Sequence, residues 1–272
     1  MTLKLQRPLP KRQVALIVIL SFFVIDELTS KFTWNIISTL TEDMSSIRRF
    51  LVMAPIQSIR LILLPILITA FIVGWRETRQ SLGFHQSIWR GLGFAFLVCL
   101  PLPIAYGFTT PLADSNTMLV EILQYAVFFG TAEEILYRCF LFGLLFRLGG
   151  WGFLPAAMLG AVIFGIAHLY QGKTLLDFIG IFGITFIGGL WWAWIYVEWD
   201  YNAWVPIGLH VFVNGWFNVF EVSESALLPL AGEITRVFVV ILSIVFTVAM
   251  RRKQGGLKIK GKLWFKSSVL EA

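Results

Sequence analysis

Charged side chains are scarce in this sequence. They make up 14% of its 272 residues, whereas soluble domains carry about 25%. This deficit excludes an ordinary soluble enzyme, and the short connections between apolar runs leave no room for a soluble domain. No soluble module remains that could bind nucleic acid, so the net charge of +6 does not indicate a nucleic-acid partner.

Cysteine is also rare. The two cysteines, Cys99 and Cys139, lie inside apolar runs, where we expect them to pack as small apolar residues. No serine or cysteine accompanies the polar motifs described below, which disfavours nucleophilic catalysis by either side chain. The sequence also lacks an internal repeat and a His-Glu-x-x-His zinc motif.

Long apolar runs are what the sequence does contain. Hydrophobic residues reach 57%, and a bilayer requires about 20 mostly apolar residues per helix. The pattern predicts an all-α, polytopic membrane protein, with one membrane domain over residues 1–272 and about eight transmembrane helices in one bundle. The predicted spans are 14–37, 50–74, 88–109, 119–146, 153–170, 175–197, 203–220 and 233–250.

The first span follows a basic N-terminus and is interrupted by Asp26 and Glu27. No small-residue cleavage site follows its apolar core, so we predict a retained first helix rather than a removed signal peptide. Among the Lys and Arg residues outside the spans or near their ends, fifteen lie on the side of both termini and four on the opposite side. The excess predicts that both termini are cytoplasmic.

Two further features are compositional. The basic tail, residues 251–272, is predicted to be cytoplasmic, and two alternatives stay open: it lies on anionic lipid or it is a solvated end.

A tryptophan cluster surrounds the connection between the sixth and seventh spans and predicts an interfacial aromatic belt. Its members are Trp191, Trp192, Trp194, Trp199 and Trp204.

The span 119–146 contains three charged residues within six positions, Glu133, Glu134 and Arg138. A charge at the centre of a membrane helix costs roughly 2.5–3.5 kcal/mol, so each of the three needs a partner. Glu134 precedes Arg138 by four positions, which is the favourable order for a helical pair. Glu133 is turned about 100° away from Glu134, so its partner must come from elsewhere.

Two histidines supply candidate partners. His168 follows Phe164 by four positions in one span, and His210 precedes Asn214 by four positions in another. Each feature alone is equally well explained by packing, because membrane bundles contain structural Glu–Arg pairs and structural histidines. Together, polar groups on three spans predict one intramembrane cavity.

Small residues would let these spans approach closely. Ala157, Ala161 and Gly165 recur every four residues on the His168 span, and Gly188 and Gly189 lie in the sixth span. Such ridges allow tight helix packing.

The residues of the predicted cavity are compatible with hydrolysis of an amide bond. A glutamate beside an imidazole can activate water, and side-chain donors can stabilise the oxyanion that forms when water attacks an amide. Two histidines and a glutamate can also hold zinc. In a metal-dependent variant, the ligands would be Glu133, His168 and His210.

The motifs resemble those of the CAAX-protease and bacteriocin-processing (Abi/CPBP) family of intramembrane glutamate-type endopeptidases. They read EEILYR at 133–138, FGIAH at 164–168 and HVFVN at 210–214, within a motif-bearing core at 119–220. The resemblance implies that Glu133 and His168 activate water, while His210 and Asn214 stabilise the oxyanion. It further implies that Glu134, Arg138 and Phe164 support the site.

The resemblance implies no obligatory cofactor and leaves zinc open. It implies a membrane-bound or lipidated protein or peptide as substrate, and the short loops favour a bacterial inner or plasma membrane. Two other functions remain as alternatives: a non-catalytic immunity or scaffold protein, and a proton-coupled transporter. A transporter would usually show an internal repeat or paired broken helices.

Overall fold

The described part of the chain is helical. The computed structural model describes residues 9–220, 230–260 and 263–264. Within them there is no β-strand, and one isolated bridge joins Leu112 to Phe220. The predicted all-α class is confirmed.

Short connections join the helical segments. The α-helices are α1 (Lys11–Phe23), α2 (Thr29–Thr41), α3 (Ser46–Ser58), α4 (Leu64–Val73), α5 (Trp75–Ser81), α6 (Ile88–Cys99), α7 (Pro101–Thr109), α8 (Ser115–Glu121), α9 (Gly130–Glu133), α10 (Gly143–Arg147), α11 (Phe153–Ala167), α12 (Leu175–Glu198), α13 (Trp204–Val219) and α14 (Leu230–Lys253). The π-helical segments are Val24–Leu28, Ile59–Leu63, Ile122–Phe129 and Glu134–Phe142, and a 3₁₀ turn covers Leu169–Gln171.

Six helical rods in the described residues are long and apolar enough to cross a membrane. They are Lys11–Thr41, Ser46–Val73, Ile88–Thr109, Phe153–Gln171, Leu175–Glu198 and Gly232–Lys253. The other two predicted spans correspond to the helical run 115–147, which carries the charged motif, and to α13, which has 16 residues. The chain is an integral, multi-pass membrane protein, and the count of eight spans stays a prediction.

The run 115–147 is the central element of the bundle. Every residue from Glu134 to Phe146 is buried. This part of the run contacts α1, α4, α11, α12 and α13, so protein rather than lipid surrounds it. Its charges therefore meet other side chains, as intramembrane charges require.

The interruption of the first span at Asp26 and Glu27 is a π-helical turn, and the helix continues through it. A π-helical turn changes the backbone hydrogen-bond pattern and often occurs at functional positions. Here Arg60, from the second π-helical segment, donates to the carbonyl oxygen of Ile25 at 3.1 Å. The two π-helical segments therefore meet inside the bundle.

The basic tail folds back onto the end of α12. Glu198 is fully buried, and its carboxylate accepts the backbone N–H groups of Lys258 and Ile259 at 2.9 and 3.1 Å. This part of the tail is therefore bound to α12, whereas the sequence predicted that it lies on anionic lipid or in solvent. The end of the tail, residues 265–272, lies outside the described residues.

Asp200, in the loop after α12, adds a second anchor for the tail. It pairs with Lys258 and, at 2.7 Å, with Arg251. Burial alone raises the pKa of Asp200, but the hydrogen bonds from Lys258 and Arg251 outweigh it and hold the pKa below the usual value. A carboxylate with a lowered pKa stabilises the fold above its unfolded pKa and loses this contribution as the pH falls through the folded value. The anchor therefore holds across neutral pH.

Candidate active site

The two carboxylates of the first motif have different surroundings. Glu134 is completely buried, whereas the Glu133 side chain is 24% exposed. Arg138 lies one turn after Glu134, with 3.2 Å between its Nη1 and the Glu134 Oε1. The angle is not that of a hydrogen bond, so the contact is an ion pair. The expected pairing of Glu134 with Arg138 is present.

His210, on α13, lies between the two glutamates. Its Nδ1 is 2.8 Å from Glu134 Oε1, and its Nε2 is 3.9 Å from Glu133 Oε2. A carboxylate paired with an arginine is ionised and can only accept a hydrogen bond, so Nδ1–H is the donor to Glu134. The second nitrogen, Nε2, therefore faces Glu133.

His168 is oriented by its own helix. Its Nδ1 lies 2.7 Å from the carbonyl oxygen of Phe164, and its ring lies against the Phe164 ring with centroids 4.3 Å apart. A carbonyl oxygen only accepts, so Nδ1 carries the proton and the neutral ring keeps a lone pair on Nε2. In the described residues, no hydrogen bond or ion pair joins His168 to Glu133, so their expected joint action on water stays a prediction.

Asn214 lies one turn after His210 on α13. Its amide nitrogen donates to the carbonyl oxygen of Tyr125 at 3.4 Å, near the upper limit for a hydrogen bond. A contact of this length is weak and can be given up to a better acceptor. The structure thus brings Glu133, Glu134 and His210 together, and leaves Asn214 at the edge of the group.

Aromatic rings enclose Arg138. The guanidinium carbon lies 4.5 Å from the Phe164 ring centroid and 4.8 Å from the Trp192 ring centroid. Trp192 also stacks on His210, with centroids 4.5 Å apart. The prediction of an interfacial belt is wrong for Trp192, because its side chain faces the bundle interior and is buried there.

A second polar cluster adjoins the site. It comes from the first two helical rods, Lys11–Thr41 and Ser46–Val73, which are called the N-terminal rods below. The Tyr137 hydroxyl donates to Asp26 Oδ2 at 2.8 Å, and Arg60 lies 4.0 Å from the other oxygen of Asp26. Gln57 accepts from Arg60 Nε at 2.7 Å. Glu133 lies within electrostatic range of both Asp26 and Arg60. The cluster therefore connects the helical run 115–147, called the motif helix below, to the N-terminal rods.

The zinc alternative can be tested on donor geometry. Glu133, His168 and His210 were its three expected ligands. Over the ranges that the structure describes, no three His, Cys, Asp or Glu side chains are arranged so that they could hold one metal ion. Glu133, His168 and His210 do not fit a zinc site in the observed arrangement.

Comparison with known proteins agrees with the motifs. A family model described as Type II CAAX prenyl endopeptidase Rce1-like matches residues 115–216. The resemblance predicted from the motifs is confirmed over these residues. The matched segment of the chain contains all seven site residues expected from the motifs and leaves out the N-terminal rods and α14. No curated protein and no solved structure matches the chain.

Sequence reasoning missed four residues around the site. Asp26 was noted only as an interruption of a span, and Arg60 and Tyr137 received no role. A lone arginine in an apolar span is a signal that could have identified Arg60. Trp192 gave no such signal, because its contacts with site residues come from two other elements, α13 and the π-helical segment Glu134–Phe142.

Proposed function

We propose that this CAAX-protease relative hydrolyses a peptide bond in a membrane-associated or lipidated substrate, with water activated by Glu133 and His168. The observation that best supports the proposal is the position of His210 between two carboxylates, one buried and paired and the other partly exposed. A purely structural Glu–Arg pair does not require the second carboxylate.

Glu133 is the base in this proposal. The 3.9 Å separation between Glu133 Oε2 and His210 Nε2 is too long for a direct hydrogen bond, but one water molecule can contact both atoms. Glu133 takes a proton from the water, and the resulting hydroxide attacks the substrate carbonyl carbon. His168 accepts a hydrogen bond from the same water through Nε2, which its hydrogen bond to Phe164 leaves available.

The oxyanion then requires donors. His210 takes up a second proton from solvent before the reaction, keeps it throughout the cycle and donates from Nε2. The ionised Glu134 at Nδ1 stabilises that cation, as a buried carboxylate does for the histidine of a catalytic triad. Asn214 supplies a second donor once its hydrogen bond to the carbonyl oxygen of Tyr125 breaks. Glu133 finally returns its proton to the amine nitrogen as the C–N bond breaks, which restores the starting carboxylate.

The proposal includes the setting of the reaction. We propose that both termini are cytoplasmic, supported by the fifteen-to-four distribution of Lys and Arg, and that the chain resides in a bacterial inner membrane. We also propose that hydrolysis proceeds without a metal, which the donor geometry supports. Cleavage measured with and without a membrane-permeant zinc chelator should then be equal.

The decisive experiment compares protein termini in membranes of cells that carry the wild type or Glu133→Gln. The substitution keeps the size of the side chain and removes the base. We expect new termini in wild-type membranes that are absent with Glu133→Gln, and the cut sites identify the substrates. A prenylated reporter peptide and its unprenylated counterpart then test whether the lipid is required.

Glu121→Gln is the matched control, because Glu121 lies at the end of α8, outside the site. Glu121→Gln should give the wild-type termini at equal expression. Identical profiles for wild type and Glu133→Gln, together with a cellular phenotype that survives the substitution, would refute catalysis by Glu133 and favour a binding role.

A further inference from the structure

Trp192 comes from a helix that carries none of the three motifs. It lies on α12, and its side chain is 9% exposed, so it packs inside the bundle. Its indole faces two site residues at once. The His210 ring stacks on it with an interplanar angle of 26°, and the Arg138 guanidinium carbon lies 4.8 Å from its ring centroid.

The stacking adds a constraint that His210 does not receive from its other neighbours. The hydrogen bond from Nδ1 to Glu134 fixes one edge of the imidazole but permits rotation about that bond. Phe164 meets the imidazole edge-on, with centroids 6.5 Å apart. The parallel indole at 4.5 Å fixes the plane of the ring, and this plane decides whether Nε2 points toward Glu133.

The same indole also confines Arg138. The guanidinium lies between Phe164 on one helix and Trp192 on another, with ring centroids at 4.5 and 4.8 Å. Aromatic faces attract a cation, and Arg138 in turn pairs with Glu134, the partner of His210. Trp192 therefore acts on the imidazole directly and through this pair.

We propose that Trp192 is a positioning residue that holds His210 and Arg138 in the orientation required for hydrolysis. The inference rests on the proposed function, because the orientation matters for the role assigned to His210 there. It predicts that an aromatic face at position 192 is required and that the indole nitrogen is not.

The test compares Trp192→Leu and Trp192→Phe with Trp191→Leu. Trp191 is the matched control, because it is the adjacent tryptophan on α12 and its indole donates to Ser243 on α14 at 3.0 Å. The readout is the amount of each Glu133-dependent terminus at equal membrane expression. We expect Trp192→Leu to lower cleavage by about 100-fold, as misplacement of a reacting group does. Trp192→Phe and Trp191→Leu should keep most of the cleavage.

A second readout needs no substrate. Diethyl pyrocarbonate acylates imidazole nitrogens, and peptide mass spectrometry separates His210 from His85 and His168. We expect faster labelling of His210 in Trp192→Leu than in wild type or Trp191→Leu, with the labelling of His85 unchanged. If Trp192→Leu does not accumulate, Trp192→Met takes its place as a flexible side chain without an aromatic face.

The outcomes separate this inference from the proposed function. Retained cleavage by Glu133→Gln contradicts the proposed function. If Glu133→Gln is inactive but Trp192→Leu cleaves as well as Trp191→Leu, only the role of Trp192 is wrong. Equal loss in Trp192→Phe and Trp192→Leu also overturns it, because Phe preserves the aromatic face.

Discussion

At the scale of single residues, the two adjacent glutamates differ because only one of them is turned toward Arg138. Glu134 has two charged or polar partners, Arg138 and the Nδ1–H of His210, and is completely buried. Glu133 is partly exposed, and its nearest described ion-pair partner is His210 at 3.9 Å. We therefore expect Glu134 to govern stability and Glu133 to govern activity.

This difference predicts opposite effects of the same substitution. Glu134→Gln leaves the buried Arg138 without its counterion, which costs about 3–5 kcal/mol when one partner of a buried pair is removed. Glu133→Gln should change stability little but abolish cleavage. Thermal unfolding of both variants in the same detergent measures the contrast. Equal midpoints for the two variants would show that the pair with Arg138 does not stabilise the fold.

At the scale of helices, the site depends on the close approach of α11 and α12. Gly189, on α12, lies directly against Ala161 of α11, and a Cβ added at Gly189 would meet the Ala161 Cβ at 2.9 Å. The neighbouring Gly188 has no atoms within 4 Å of the equivalent position. Of the two adjacent glycines noted in the sequence, only Gly189 is therefore required for packing.

The glycine pair provides an internal comparison. Gly189→Ala forces α12 away from α11 and should destabilise the protein by about 1–3 kcal/mol, as overpacking does. It should also lower cleavage, because α12 carries Trp192. Gly188→Ala should be neutral or stabilising by up to about 1 kcal/mol, since alanine favours the helix. Unfolding midpoints and cleavage measured on both variants check the expectation, and similar effects at the two positions would contradict it.

At the scale of the whole molecule, the N-terminal rods are part of the site's support although the family match begins at residue 115. Arg60 and Asp26 are brought together by two π-helical segments, and the Tyr137 hydroxyl joins them to the motif helix. The candidate site is therefore in contact with residues far outside the matched segment.

A double-mutant cycle tests this dependence. Arg60→Gln leaves the partly buried Asp26 without its cation and should destabilise the protein by about 0.5–3 kcal/mol. Adding Asp26→Asn should restore part of the loss, since it removes the unpaired charge, so the two effects are not additive. Arg48→Gln, at an exposed position, is the control and should stay within about 0.5 kcal/mol of wild type. Additive losses measured by thermal unfolding would mean that the two side chains do not interact.

The sequence by itself determined that the chain lies in a membrane, that it is helical, and which family its motifs resemble. Apolar runs of about 20 residues leave the backbone no alternative to helices in a bilayer. Three short motifs resemble the CAAX-protease family, whose model matches residues 115–216. The pairing of Glu134 with Arg138 also followed from spacing alone, because residues four apart share one face of a helix.

Only the tertiary structure decided which residues meet across helices. Spacing cannot show that His210 lies between the two glutamates, or that Trp192 stacks on His210 inside the bundle instead of lying in an interfacial belt. Nor can it show that Asp26 and Arg60 adjoin the motif helix. These contacts depend on helix rotation, on π-helical turns and on how closely α11 and α12 approach. Rotation and approach are set by packing among many side chains at once, whereas sequence periodicity reports only the faces of single helices.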